Sequence, residues 1–581
     1  MKKICCRAWL GWTWIVALGI AGADFNSLAA DEPADWVLHH GRIETVDSER
    51  PHADWIAFRG DRIVGLGQGE EFHPLVGPKT RVVDLQGRLA IPGFVESHGH
   101  FLGLGQSRMM LDLTQARTWD DIVTQVAGAV KGKKPGEWII GRGWHQEKWS
   151  RPPEGAIEGY PTHEKLSAVA PNNPVMLTHA SGHMAIANAY ALRLAQISGQ
   201  TKNPAGGEIL RDRQGQPSGV MRETAQGLLG QALAADERRR TAEDHWQEFQ
   251  QAVDLATADC LAHGVTSFHD AGSEFATIDG LKRLGQAGKL RVRLYVMVRD
   301  SNALLAQNLS AYRWIGECDN HLTVRSIKRS IDGALGAHGA WLLSPYEDLP
   351  TSVGLNTASI ESVEETARLA AEHDFQLCVH AIGDKANRVV LDIYGAQFAK
   401  TPGGDRRWRV EHAQHLDPAD IPRFGQLGVI ASMQGIHCTS DAVFVLQRLG
   451  TGRAQQGAYV WRDLMKSGAT ICNGTDAPVE PIDPIACFEA SVTRRLSDRS
   501  TFFPEQGMSR LEALRSYTLN GAFAAFEEDI KGSLKPGKLA DLAVLSHDIM
   551  TCPDDEIRQA KVVATFVGGQ LEYRDEALWN D

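Results

Sequence analysis

Between residues 92 and 520, short apolar runs alternate with longer helical stretches, and that rhythm restricts the chain to a parallel β/α architecture. Val265–Phe268, Val292–Val298, Leu377–His380, Arg409–His412, Val429–Ser432 and Thr470–Asn473 read as strands. Ile360, Glu364, Ala367 and Ala371, and the stretch Arg510–Thr518, have helical spacing. Strands alternating with helices point to a parallel sheet, and so many units predict a TIM-like (β/α)8 barrel rather than an open sheet.

Both chain ends have a different texture. Asp35–His40, Arg42–Val46, Ala53–Phe58, Arg62–Leu66 and Val82–Leu85 are short runs separated by glycine turns, and Asp541–Leu545 and Lys561–Val567 repeat the pattern. Neither end is long enough for a good core alone, so residues 34–91 and 532–575 are expected to form one composite β-sandwich. The barrel is assigned to 92–104 and 246–531. Residues 105–245, rich in proline and in the glycines of NPAGGEILRDRQGQPSG, are read as an inserted substrate-side domain or lid. Trp138, Trp144 and Trp149 either line a pocket there or fill the insert's own core.

Residues 1–29 have the form of a bacterial-type signal peptide. Lys2 and Lys3 precede a mostly apolar stretch, Ala8–Ile20, and Ser27 and Ala29 suit a cleavage site. That stretch falls short of the roughly 20 residues of a spanning helix, so an exported protein, periplasmic or secreted, with no stable membrane span after cleavage is expected. The remaining cysteines, Cys260, Cys318, Cys378, Cys438, Cys472, Cys487 and Cys552, form no Cys-x-x-Cys pair and read mostly as small buried residues. A net charge of −12 without a basic block argues against nucleic acid. The glycines of GLGQGE have the wrong spacing and setting for dinucleotide binding.

Polar residues at the strand ends carry the functional reading, because barrel enzymes place their chemistry there. Leu89–Val95 reads as a run into the barrel that ends in Glu96-Ser97-His98-Gly99-His100, and period-two alternation puts both imidazoles on one face. His380 ends QLCVH, His412 ends WRVEH, and Asp476 follows TICNGT. Each alone is equally well explained as a cap or a buried hydrogen-bonded group. Together, several imidazoles and a carboxylate at one barrel mouth suit a borderline-soft divalent ion, usually zinc. Asp476 is the candidate catalytic proton carrier, whereas alternation turns Glu411 away from His412 and makes it structural.

GFVESHGHFLG, VHAIGDKAN, VEHAQ, NGTDAPVEPIDP and YTLNGAFAAFEEDIKGSLKPGKLADLAVL resemble motifs of the amidohydrolase superfamily. The closer resemblance is to amidohydrolase family 3, the YtcJ-like hydrolases related to N-substituted formamide deformylases, over nearly the whole mature chain. It implies one or two divalent ions, with His98, His100 and Asp476 near one, His380 and His412 near the other. Lys328, four residues before Asp332-Gly333, would bridge them as a carbamylated lysine. It also implies substrate-side roles for Trp144 and His145 in GRGWHQEKW, His183 in HASGHMAIANAYAL, Arg222 in GVMRETA, His269 in GVTSFHDAG and His437 in SMQGIHCTSD. His145 stands where the family pattern suggests aspartate, and Gly435 where proline is commoner.

The expected reaction is hydrolysis of a non-peptide carbon–nitrogen bond in a small molecule, such as an N-acyl, N-formyl or cyclic amide. A lactone or ester hydrolase with the same centre is the alternative, and a non-catalytic periplasmic binding or regulatory protein is a third. Base rates alone favour a homodimer.

Overall fold

The computed structural model describes residues 32–146, 149–179, 184–204, 207–336 and 338–579. The signal segment 1–29 and His183 lie outside the described residues.

Eight parallel strands form the central body. In chain order they are β1 (Phe94–Gly99), β2 (Val265–Ser273), β3 (Arg293–Val298), β4 (Leu322–Ser330), β5 (Gln376–Ala381), β6 (Arg409–His412), β7 (Ile430–Gln434) and β8 (Ile471–Gly474), each paired with the next. The two edge strands then meet. Asp476 donates its amide to His98 O (2.8 Å), and His100 donates to Ala477 O (2.7 Å). These bonds bring β1 against β8 and make the sheet a nearly closed TIM-like barrel.

The strands are buried because helices cover their outer faces. Ile360–Glu372 begins at Ser359, whose hydroxyl accepts the Ser362 amide, and it turns Val363, Ala367 and Ala370 inward. Thr241 and Asp244 form a reciprocal capping box at the start of Ala242–Ala262, which buries Val253, Ala256 and Cys260. Side chains from these helices and the strands' outward faces share one continuous apolar core.

Strands from both chain ends share a sheet. Leu89–Pro92, which the sequence reading ran straight into the barrel, instead pairs with Leu542–Leu545 and Arg42–Glu44 before the chain enters β1. A separate four-stranded sheet contains Trp36–His39, Trp55–Arg59, Arg62–Gly67 and Arg81–Asp84. Six strands between Leu111 and Glu223 form another sheet. Among the described residues no helix is long and apolar enough to cross a membrane, and the seven cysteines present there are free.

A buried ion pair ties the barrel to the terminal strands. Arg293 on β3 makes two bonds to Asp541, Nε–Oδ2 at 2.7 Å and Nη2–Oδ1 at 3.0 Å, while the Gly568 amide also donates to Asp541 (2.8 Å). Removing one partner leaves a charge buried without compensation. Arg293→Met should therefore destabilise the protein by about 3–5 kcal/mol in denaturant unfolding, with partial recovery in the Arg293→Met/Asp541→Asn double variant. Unchanged stability would show that this contact does not join the two bodies.

Candidate metal centre

The β1 motif delivers His98 to the barrel interior, where it is fully buried, while His100 at the strand's end is about one-third exposed. Both approach Asp476, which follows β8: Oδ1 lies 3.6 Å from His98 Nε2 and 3.3 Å from His100 Nε2. The closeness depends on the seam. Gly474 has no room for a side chain, since a Cβ there would lie 2.4 Å from Glu96 Oε1 and 2.6 Å from His98 N. Glu96 accepts the Thr475 amide (2.6 Å) and hydroxyl (3.1 Å), bracing the residue before Asp476. Asp476 itself has φ +61, a left-handed conformation uncommon outside glycine that aspartate tolerates better than most residues.

His412 comes from β6 and His380 from β5. Their rings are 4.4 Å apart, and the His412 and His98 rings 4.6 Å apart. One ligand atom from each of His98, His412 and Asp476 falls within 4.8 Å of the others. Lys328, on β4 and buried, places Nζ 3.3 Å from His98 Nε2. The next residue, Arg329, faces the opposite way and bonds Thr366 (3.0 Å) and Asn302 (2.8 Å) on the surrounding helices, as strand alternation requires.

Hydrogen bonds set which nitrogen of each ring faces the centre. His98 Nδ1 is bonded to Glu411, and His412 Nδ1 lies 2.7 Å from Gln434 Oε1. An oxygen acceptor at Nδ1 calls for the proton there and leaves the Nε2 lone pair available to a ligand.

Glu411 therefore departs from the sequence reading, which turned it away. It is fully buried between His98 and Arg409, with Arg409 Nε 2.6 Å from Oε1. Arg409 continues the network to Ser97 O (2.6 Å), Ser432 Oγ (2.7 Å) and His269 Nδ1 (3.1 Å). Alternation fails because His412 has φ +74 and Ala413 φ +44, so the chain turns at the strand's last residue and both neighbours reach the interior.

Burial governs the ionisation. Desolvation, reinforced by Lys328, lowers the pKa of His98 to about 4, against the opposing pull of Glu411. Desolvation, then the charges of Lys328 and His98, bring His380 to about 3, and desolvation holds His412 well below the ordinary histidine value. Lys328 is lowered by the same burial, partly offset by Glu411 and Asp476. Burial pushes Asp476 upward, but the adjacent His100 imidazole, with those of His98 and His412 close by, outweighs it and keeps the carboxylate below its usual range. Neutral imidazoles and an ionised carboxylate are a metal-ligand set in its binding form. Asp476 Oδ1 and His380 Nε2 are buried without a hydrogen-bond partner. Atoms in that state need a further partner, and a divalent ion fits this donor set.

The substrate-side candidates divide. His437 stands beside the centre, its ring stacked 6.2 Å from His412 and its Nδ1 accepting from Gln414 Nε2 (3.0 Å). His269 lies inside the barrel on the Arg409 network. The other described candidates belong to the 111–223 region. Trp144 is fully buried, donates its indole N–H to Leu177 O (2.9 Å) and packs on Trp149, filling that region's core. The His145 ring lies 4.6 Å from that of His179. Arg222 is held by Glu208 (2.7 Å) and Glu158 (2.8 Å). Sequence reasoning missed Glu96, Arg409 and Asp270; the last accepts from the Phe101 amide (2.9 Å) and Ser273 hydroxyl (2.6 Å) at the end of β2.

Residues 81–573 match the amidohydrolase family. Protein LONG AFTER FAR-RED 3 of Arabidopsis thaliana is 33% identical over 557 residues, covering 93% of this chain and 92% of that protein. N-substituted formamide deformylase of Arthrobacter pascens is 28% identical over 546 residues, covering 93% and 98%. Among solved structures, an uncharacterized metal-dependent hydrolase from Pyrococcus horikoshii superposes with a TM-score of 0.70 at 26% identity, covering 90% of this chain and 99% of that one.

The depressed histidine pKa values have a measurable consequence. Unfolded histidines take up protons below about pH 6.5, whereas His98 and His380 in the fold resist until about 4 and 3. The unfolded state thus binds more protons across that interval, and stability falls as pH decreases from about 6.5 towards 4. Urea unfolding of metal-free protein should show this loss between pH 6.5 and 5. The slope should be shallower in His380→Asn, by at most about 1.4 kcal/mol per pH unit. An unchanged slope would mean that His380 is not held neutral.

Proposed function

Because the chain belongs to the amidohydrolase family, we propose that it is a metal-dependent hydrolase of a non-peptide carbon–nitrogen bond in a small molecule, such as an N-acyl, N-formyl or cyclic amide. The observation that carries this reading is the convergence of His98, His412 and Asp476, with Asp476 Oδ1 buried, 3.3 Å from His100 Nε2 and making no hydrogen bond.

His98, His100 and Asp476 would hold one ion. His380 would serve a second, with His412 reaching either position, since its ring lies against both His98 and His380. Lys328 would lie between them. Its ammonium form is a poor ligand, and burial favours the neutral amine, the form that captures carbon dioxide to become a carbamate. A bound divalent ion such as zinc supplies a Lewis acid and lowers the pKa of water to near neutrality.

The chain's own groups complete the chemistry. Asp476, held ionised, accepts the proton of the attacking water and returns it to the departing nitrogen. Glu411 keeps the His98 ring in one tautomer and orientation, and Gln434 does so for His412. His437, stacked beside His412, would orient the substrate carbonyl. The N-terminal segment adds an exported location to this reading.

The test is amine release from N-formyl, N-acyl and cyclic amides, with lactones in parallel, by zinc-loaded, chelated and reconstituted protein. Chelator-sensitive and zinc-restored amine release is expected. Asp476→Asn should lower kcat about 10²–10⁴-fold while retaining the fold. Turnover confined to lactones would assign the ester class instead, and full activity of Asp476→Asn would remove its proton-transfer role.

A further inference from the structure

Resting on the amide-hydrolase reading above, we propose that Arg299 is a specificity-determining residue that receives a carboxylate carried by the substrate, making N-acylated amino acids or similarly anionic amides the preferred class.

Arg299 follows the last residue of β3. The register pairs Met297 with Ser326 and Val298 with Ile327, so Arg299 comes next to Lys328, the buried lysine of the centre. The face it continues is the inner one. Tyr295 donates its hydroxyl to Gln376 on β5 (3.0 Å), and Met297 packs with Ala271 and Cys378. Leu294, Val296 and Val298, at the alternate positions, pack in the outer core shared with the helices. Tyr295 and Met297 thus climb the barrel's inside, and Arg299 follows them, exposed, at the end where the barrel opens.

The neighbouring backbone anchors and accommodates this residue. The Arg299 amide donates to Ser273 O (2.9 Å). Its side-chain stem lies over Gly272, where a Cβ would stand 2.7 Å from Arg299 Cδ; Gly272 also has φ +127, which disfavours any other residue. The stem is therefore seated while the side chain remains exposed.

Among the described residues, no side-chain hydrogen bond or ion pair engages Arg299. The carboxylates on the same elements have other partners. Asp300 takes the Phe275 amide (2.9 Å), Asp270 takes Phe101 and Ser273, and Asp332 takes the amides of Trp341, Ile382 and Gly383. A guanidinium presents paired donors matched to a carboxylate.

The experiment compares N-acetyl-phenylalanine with its carboxamide, which differ in one charge, on wild type, Arg299→Gln and Arg299→Lys, all zinc-loaded. Binding is measured by calorimetry and turnover is followed separately. Wild type should bind the carboxylate more tightly than the carboxamide. Arg299→Gln should lose roughly 10–100-fold in affinity for the carboxylate with little change for the carboxamide. Arg299→Lys should recover part of the loss, and in turnover the effect should appear in KM more than in kcat. Equal wild-type affinity for the two compounds, no binding of either, or carboxylate preference retained in Arg299→Gln would overturn the proposal. Selective, Arg299-dependent binding without any amine release would leave the carboxylate site standing and instead contradict the amide-hydrolase reading.

Discussion

Glu411 is a buried carboxylate shared by one cation and one imidazole. Fully enclosed, it faces Arg409 on one side and His98 on the other. Burial alone would raise its pKa; the charge of Arg409, helped by the hydrogen bond from the neutral His98 ring, reverses that and holds it ionised. Neither charge would be tolerable there without the other. Their pairing puts a fixed negative charge directly beneath the first histidine of the centre. Through it, β6 orients a residue of β1, and through Arg409 the same network reaches β2 and β7.

The barrel seam does the complementary work at the surface of the site. Two backbone bonds join β1 to β8, Glu96 braces Thr475, and Gly474 permits the close approach. Asp476 consequently stands beside both histidines of the β1 motif in a left-handed conformation. Closure of the fold and assembly of the centre are in this sense the same event. The buried neutral rings, ionised Asp476 and desolvated Lys328 arise because helices and loops exclude water around that seam.

How much of this was legible in the sequence follows from the range of each interaction. His98 and His100 were readable because two-residue spacing on a strand is local geometry. His380 and Asp476 were readable because each ends or follows an apolar run. Glu411 was misread: period-two alternation assumes a regular strand, and the positive φ of His412 at the strand's last residue is a tertiary effect. Lys328 carried no signal in its own composition, since its significance depends on burial beside His98, and only the family resemblance singled it out. Trp144 shows the opposite limit. Its tryptophan neighbours suggested either a pocket or a core, and contacts distant in sequence placed it in the core. Glu96 could not be inferred from spacing, because Thr475 lies hundreds of positions away, and Arg409, though two residues from Glu411, shows its role only through Ser97 and His269 across the barrel.

The central claim is that His98, His412 and Asp476 bind a catalytic divalent ion. Its most direct test is a crystal structure of the zinc-loaded protein with anomalous scattering recorded across the zinc edge. A peak is expected within ligand distance, about 2.0–2.2 Å, of a nitrogen from His98 and an oxygen of Asp476. His412 should coordinate that ion or a second one beside Lys328. Zinc located only elsewhere, or a site empty at saturating zinc with these side chains unmoved, would contradict the account.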